Sequence, residues 1–201
     1  MPVSRNIETG LVILFEVIFA FLAIQALLIQ DIPRFYNVLL AMFIAVLPIL
    51  TEKIMDISFP FGVKILVPFA LFLHLAGGIM RWYWIYMPFY DKIAHIISAL
   101  AIALCVFVFF IVLDYYGMKI SKWKVFIGIF IITMILGGIW EVGEKTLDIL
   151  LRSSYNNGMI DTIGDVIGNF IGILIALIIA SHYIKSIPRG ENMSYLIRKK
   201  N

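Results

Sequence analysis

Six apolar runs, most of them near the length that crosses a bilayer, constrain this chain more than any other feature. A helix needs about 20 apolar residues to span the hydrocarbon core. The runs fall at roughly 10–30, 37–50, 61–80, 93–113, 125–140 and 160–184. The second is the shortest and carries Pro48, and the fifth continues as a more polar stretch to about Leu151. Of the 201 residues, 62% are hydrophobic and 14% charged, against roughly 45–50% and 25% in ordinary soluble domains. A water-exposed surface could not hide that excess without large sticky patches. The expected fold is an all-α, polytopic transmembrane helix bundle of about six spans, forming one integral membrane domain over residues 1–201. The first run is too long for the apolar core of a signal peptide and no small-residue cleavage site follows it, so it is expected to stay in the protein.

The single cysteine, Cys105, excludes a disulfide scaffold. A net charge of +3 is too small for a nucleic-acid binder, so the bilayer is the expected partner. The charge is instead divided by membrane side. With six spans, both tails and the even loops share one side, which holds Arg5, Lys53, Lys64, Lys119, Lys122, Lys124, Lys185, Arg189, Arg198, Lys199 and Lys200. The other side holds only Arg34, Arg81, Lys92, Lys145 and Arg152. Basic residues accumulate on the cytoplasmic side, so the tails are expected there, in a multi-pass protein of the cell membrane.

Ionisable residues at membrane depth are costly and mark function by default. Asp91, Lys92 and His95 open the fourth apolar run from outside, with Ser98 a turn deeper. Glu141, Glu144, Lys145 and Asp148 lie where the fifth emerges, and Asp161, Thr162, Asp165 and Asn169 open the sixth. Asp91 and His95 are four residues apart and share a helix face. Gly164, Gly168 and Gly172 recur every four residues beside the Asp161, Asp165 and Asn169 stripe, and small residues at this spacing let helix backbones approach closely. Gly137 and Gly138 permit the same one turn before Glu141. The pattern predicts a compact polar pocket, walled by three helices and open outward.

Three chemistries suit such a pocket. His95, Glu141, Asp161 and Asp165 could ligate a divalent metal that prefers oxygen with one nitrogen, such as Mn²⁺, Mg²⁺ or Zn²⁺. Without metal, Asp91 and His95 could act as a general base with Glu141 or Asp165 as the acid. Alternatively the charges neutralise one another, Asp91 with Lys92 and Glu141 with Lys145, while Asp161 and Asp165 favour a helix N-terminus. On the first two readings Asp91, His95, Glu141 and Asp165 are the catalytic candidates, and Lys92, Glu144, Asp161 and Asn169 would bind the ligand.

Outside that set, His74 reads as a core histidine bonded to a neighbour or a further member of the pocket. Glu16 reads as half of an interhelical hydrogen bond or, with Gln25, part of an ion path. The aromatic run from Arg81 to Tyr90 has the composition of a membrane-interface belt and could double as a lip over the pocket. The basic tail after Lys185 suits anionic headgroups.

The three polar blocks resemble the signature of the VanZ-like membrane family and its uncharacterised inner-membrane relatives. Asp91-Lys92-Ile93-Ala94-His95 matches an Asp-Lys-x-x-His at a helix start. Glu141 and Glu144 match a Glu followed three residues on by a polar partner. Asp165 through Gly172 matches Asp-x-x-x-Asn-x-x-Gly, preceded by the fitting Asp161. The similarity covers about residues 90–180. Glu144 stands where the family commonly has Gln, and Asn156-Asn157-Gly158 stand where it commonly has Arg, leaving Arg152 or Arg81 to supply any anion contact. The name-giving member is associated with low-level resistance to a lipoglycopeptide antibiotic acting at the outer membrane face, and the resemblance implies no reaction.

Together these readings predict an envelope membrane protein whose outward pocket handles a lipid-linked or small polar ligand, with metal-assisted hydrolysis or transfer as its chemistry if it is an enzyme. A secondary transporter and a non-catalytic structural or regulatory protein stay open. A transporter would need polar residues through the membrane, and only Glu16 and Gln25 extend the cluster inward.

Overall fold

The computed structural model describes residues 2–151 and 158–197, and the side chains of residues 6–150 and 158–197. Arg152, Asn156, Asn157, Arg198, Lys199, Lys200 and the Arg5 side chain, all used in reading the sequence, lie outside those limits. The elements are α1 (Pro2–Leu28), α2 (Ile32–Met55), α3 (Val63–Ile79), the single turn α4 (Trp82–Ile85), α5 (Phe89–Tyr115), α6 (Lys122–Leu151), α7 (Met159–Lys185) and a terminal 3₁₀ turn, η1 (Met193–Ile197). Among the described residues five helices are long and apolar enough to cross a membrane, and α3 is a shorter apolar helix. The protein is a multi-pass helical membrane bundle. Large apolar side chains cover its outside, Ile54 and Ile160 being more than 80% exposed, as a lipid-facing surface requires.

The second apolar run departs from expectation. It is not a short span over 37–50 but a 24-residue helix. Asp31 extends it at the start by accepting a hydrogen bond from Arg34 N at 3.1 Å and pairing with the Arg34 guanidinium at 2.9 Å. Pro33 fits the first turn, where its missing N–H would go unused anyway. At the other end Glu52 stays in the helix because it is ion-paired, and Asp56 stops it in a left-handed conformation at φ 52°. Pro48 is accommodated inside.

A 27-residue α5, about 40 Å long, is the spine. Helices α3, α6, α7 and η1 pack on it, while α1, α2 and α3 pack on one another as a second lobe. The closest seam runs between α5 and α7. A Cβ on Gly172 would collide with the carbonyl oxygen of Ile96 and stand 2.9 Å from Ala99 Cβ, and one on Gly168 would stand 3.2 Å from the Lys92 carbonyl oxygen. Glycine is what lets those backbones meet.

One face of the bundle is tied by an ion group that the sequence reading did not anticipate. Lys64 Nζ, 1% exposed, lies 2.9 Å from Glu52 Oε2 and 3.3 Å from Glu8 Oε2. The other carboxylate oxygens accept from Phe59 N and Gly62 N, each at 2.6 Å. Starts and ends of α1, α2 and α3 are thereby fixed together. On the same face Ser194 N donates to Asp114 Oδ2 at 2.8 Å and Ser58 N to Ile197 O at 2.8 Å, folding η1 back onto the helices.

Candidate functional site

The opposite face carries the predicted cluster. Lys92, in the first turns of α5, reaches across to α7: its Nζ stands 2.5 Å from Asp161 Oδ1, 2.6 Å from Asp165 Oδ1 and 3.1 Å from Asp91 Oδ2. It also donates to the Asp161 carbonyl at 3.2 Å. Gly164 gives the lysine its path, since a Cβ there would stand 2.8 Å from Lys92 Cε. The neutralising pair read from sequence, Asp91 with Lys92, is therefore one arm of a three-carboxylate cage.

His95, one turn deeper, is 3% exposed. Its Nδ1 faces Asn169 Oδ1 at 3.4 Å. That oxygen only accepts, so in the neutral ring Nδ1 carries the proton and Nε2 the lone pair. Nε2 has no hydrogen-bond partner among the described residues. Around it stand Asp165 Oδ1 at 3.5 Å, Asp91 Oδ1 at 3.7 Å and Glu141 Oε1 at 3.9 Å. Helices α5, α6 and α7 thus each aim a carboxylate at the same nitrogen, beyond hydrogen-bond reach. Two ligands each about 2.0–2.2 Å from one ion stand roughly 3–4.4 Å apart, which is the spacing found here. Ligand atoms of His95, Glu141 and Glu144, and separately of Asp91, His95 and Asp165, lie within 4.8 Å of one another.

On α6, Glu144 is held by Trp140 Nε1 at 2.8 Å. Thr162 of α7 hydrogen-bonds the Glu141 side chain. Gly137 lets Asn169 in, its would-be Cβ standing 2.7 Å from Asn169 Nδ2. Gly138 does not share this role, because open space surrounds it. Lys145 is exposed on the outside of α6, and Asp148 is half-buried one turn beyond Glu144.

His74 lies beside the cluster with both nitrogens engaged: Nδ1 with Tyr83 Oη at 2.6 Å and Nε2 with Ser98 Oγ at 2.9 Å. Its ring stands edge-on to His95, centroids 6.1 Å apart, and 5.2 Å from the Trp140 ring. The aromatic run is split by burial. Tyr83 and Tyr90 turn inward, ring centroids 5.3 Å apart, over the bare Gly77, while Trp84, Ile85, Tyr86 and Met87 are exposed. Burial, and after it the Asp91 charge, pushes the Tyr83 phenol above its ordinary range and keeps it a proton donor to His74. Arg81 is exposed and lies over the Trp84 ring, 5.8 Å from its centroid. The hydrogen bond expected of Glu16 does not form within the described residues, where its Oε1 is buried without a partner.

Five carboxylates and one ammonium thus meet at one end of a membrane-spanning bundle around a histidine with a free lone pair. The class this defines is a polytopic membrane protein with a buried His–carboxylate centre at one face. Its family follows from comparison: residues 7–186 match the family described as "Predicted membrane protein (DUF2238)", and the chain belongs to that family. The match runs well beyond residues 90–180, where the VanZ-like resemblance lies, and it is to an uncharacterised membrane family. No curated protein and no solved structure matches the chain.

Proposed function

We propose that this is a cell-membrane protein with cytoplasmic tails whose outward-facing centre binds a divalent cation, at His95 with Asp91, Glu141 and Asp165, and uses it to act on a lipid-linked or small polar ligand. The observation that carries this is the unpartnered, buried His95 Nε2 set among three carboxylate oxygens at 3.5–3.9 Å. Metal-ligating histidines donate their other N–H to a carbonyl or carboxylate oxygen, as Nδ1 does to Asn169. A cation there would polarise a phosphoryl or carbonyl oxygen and acidify bound water, with Glu144 and Asp161 at its edge. The VanZ-like resemblance of the same residues, and the basic residues on the opposite face, support the outward orientation.

A second reading rests on Lys92. Its ammonium already contacts three aspartates, which makes it a built-in cation and the cluster a helix clamp. Elemental analysis of purified protein and melting with added Mn²⁺ or Zn²⁺ separate the two. The cation reading expects about one equivalent of metal, lost in His95→Ala, and a melting temperature that rises with the logarithm of metal excess. Melting indifferent to every divalent ion leaves the clamp.

A further inference from the structure

An apolar groove leads away from the centre. Helices α3 and α6 both pack on α5 and meet each other through the His74 and Trp140 rings, and beside that contact a slot floored by α5 opens between them. Its upper cavity, about 610 Å³, begins at His74, His95, Ser98 and Asn169. A lower cavity of about 400 Å³ shares Ile44, Val67, Cys105 and Phe109 with it and ends near Met55 and Phe59. The two adjoin end to end along α5, the upper one within the about 300–1,000 Å³ of ordinary ligand sites.

Three features identify the occupant. First, the walls below Asn169 are aliphatic and aromatic, apart from Thr51, Cys105 and Thr133. Second, Thr133, 1% exposed, lines the upper cavity and its Oγ1 has no hydrogen-bond partner among the described residues. His95 lines the same cavity and carries a second such atom, Nε2, on its side toward the carboxylates. Leaving such groups unpaired costs stability, so an occupant whose polar head binds the cation held at Nε2, with a further polar atom behind it, completes both. Third, the slot is deep. From His95 to Phe109 α5 advances about 21 Å, past the midplane of a hydrocarbon core about 30 Å thick.

We infer that this groove holds the hydrocarbon chain of a polyprenyl-phosphate-type lipid, its head at the His95 centre, a linking oxygen near Thr133 and its chain running past Cys105 toward Met55. A chain confined to one leaflet would leave the lower end unfilled. The inference rests on the proposed cation in one respect: with five carboxylates in the cluster and no arginine among its described residues, a phosphate head would be repelled unless a divalent ion lay between.

The test is thermal melting of the full chain in detergent with a long polyprenyl monophosphate, with phosphatidylglycerol, or with neither, each with Mn²⁺ and with EDTA. At about a hundredfold excess over Kd, polyprenyl phosphate with Mn²⁺ should raise the midpoint by roughly 5–10 °C. Leu136→Trp, at an exposed groove-lining position, should abolish that rise while keeping the rise caused by Mn²⁺ alone. Thr133→Val should reduce it without disturbing the fold. An equal rise with phosphatidylglycerol would overturn the assignment in favour of ordinary bilayer lipid. No lipid effect alongside an intact Mn²⁺ effect would overturn the groove and leave the cation centre standing. A lipid effect that survives EDTA would retain the groove and remove the cation. A dimer by light scattering in the lipid-free sample, dissociated by Leu136→Trp, would assign the slot to a second copy instead.

Discussion

Lys92 Nζ stands 2.6 Å from Asp165 Oδ1, a contact that crosses from α5 to α7 and ends on a side chain only 1% exposed. The same oxygen lies 3.5 Å from His95 Nε2. One carboxylate therefore joins the internal cation to the proposed external one, and the two compete for it.

Removing the lysine should expose that competition. Lys92→Met leaves Asp161 and Asp165 without their ammonium, at a cost near the lower end of about 3–5 kcal/mol because Lys92 is a quarter exposed. Mn²⁺ should recover more stability in this variant than in the wild type. Chemical or thermal denaturation with and without Mn²⁺ measures both, and equal recovery in the two proteins would contradict a shared carboxylate.

His95 and Glu141 should behave as one unit. His95→Gln and Glu141→Gln should each remove the divalent-dependent rise in melting temperature, and the double variant should do no more than either. A double-mutant cycle with a coupling well above about 0.5 kcal/mol is expected, since independent sites add within that margin.

Gly172→Ala should part α5 from α7. With the Ile96 carbonyl oxygen in its way, the added methyl is expected to cost about 1–3 kcal/mol by overpacking. Gly138→Ala, in open space, should be neutral or stabilise by up to about 1 kcal/mol through helix propensity. Comparing the two melting curves checks the seam without touching the centre.

The ion group on the tail face is expected to be structural alone. Lys64→Met leaves Glu8 and Glu52 buried and uncompensated, a loss of about 3–5 kcal/mol, while metal content at the His95 centre stays unchanged. Loss of metal in this variant at a temperature where it is still folded would show that the two faces are linked.

Topology is checked by reporter fusions. One placed after Lys119 should report the cytoplasm and one placed after Leu151 the outside, because α6 lies between them.

What local sequence determined here is what short-range physics controls. Apolar run length set the six apolar helices but not the α4 turn, and the four-residue spacing of Asp91 and His95, and of Gly164, Gly168 and Gly172, put each set on one helix face, since 3.6 residues per turn is a property of the backbone. Run length failed at α2, where Arg34 and Glu52 interrupt the hydropathy and yet stay helical through Asp31 and Lys64. Those partners come from a cap and from another helix, and neither enters a count of apolar residues. Tertiary structure alone decided that Lys92 reaches Asp161 and Asp165 on α7, that Asn169 takes His95 Nδ1, that Tyr83 and Ser98 occupy His74, and that Glu8, Glu52 and Lys64 meet. It also opened the groove, a gap between α3 and α6 where both lean on α5. Helical periodicity says which face a side chain occupies. Which face it meets depends on how closely two backbones approach and at what offset, and that is fixed by packing between residues far apart in the chain.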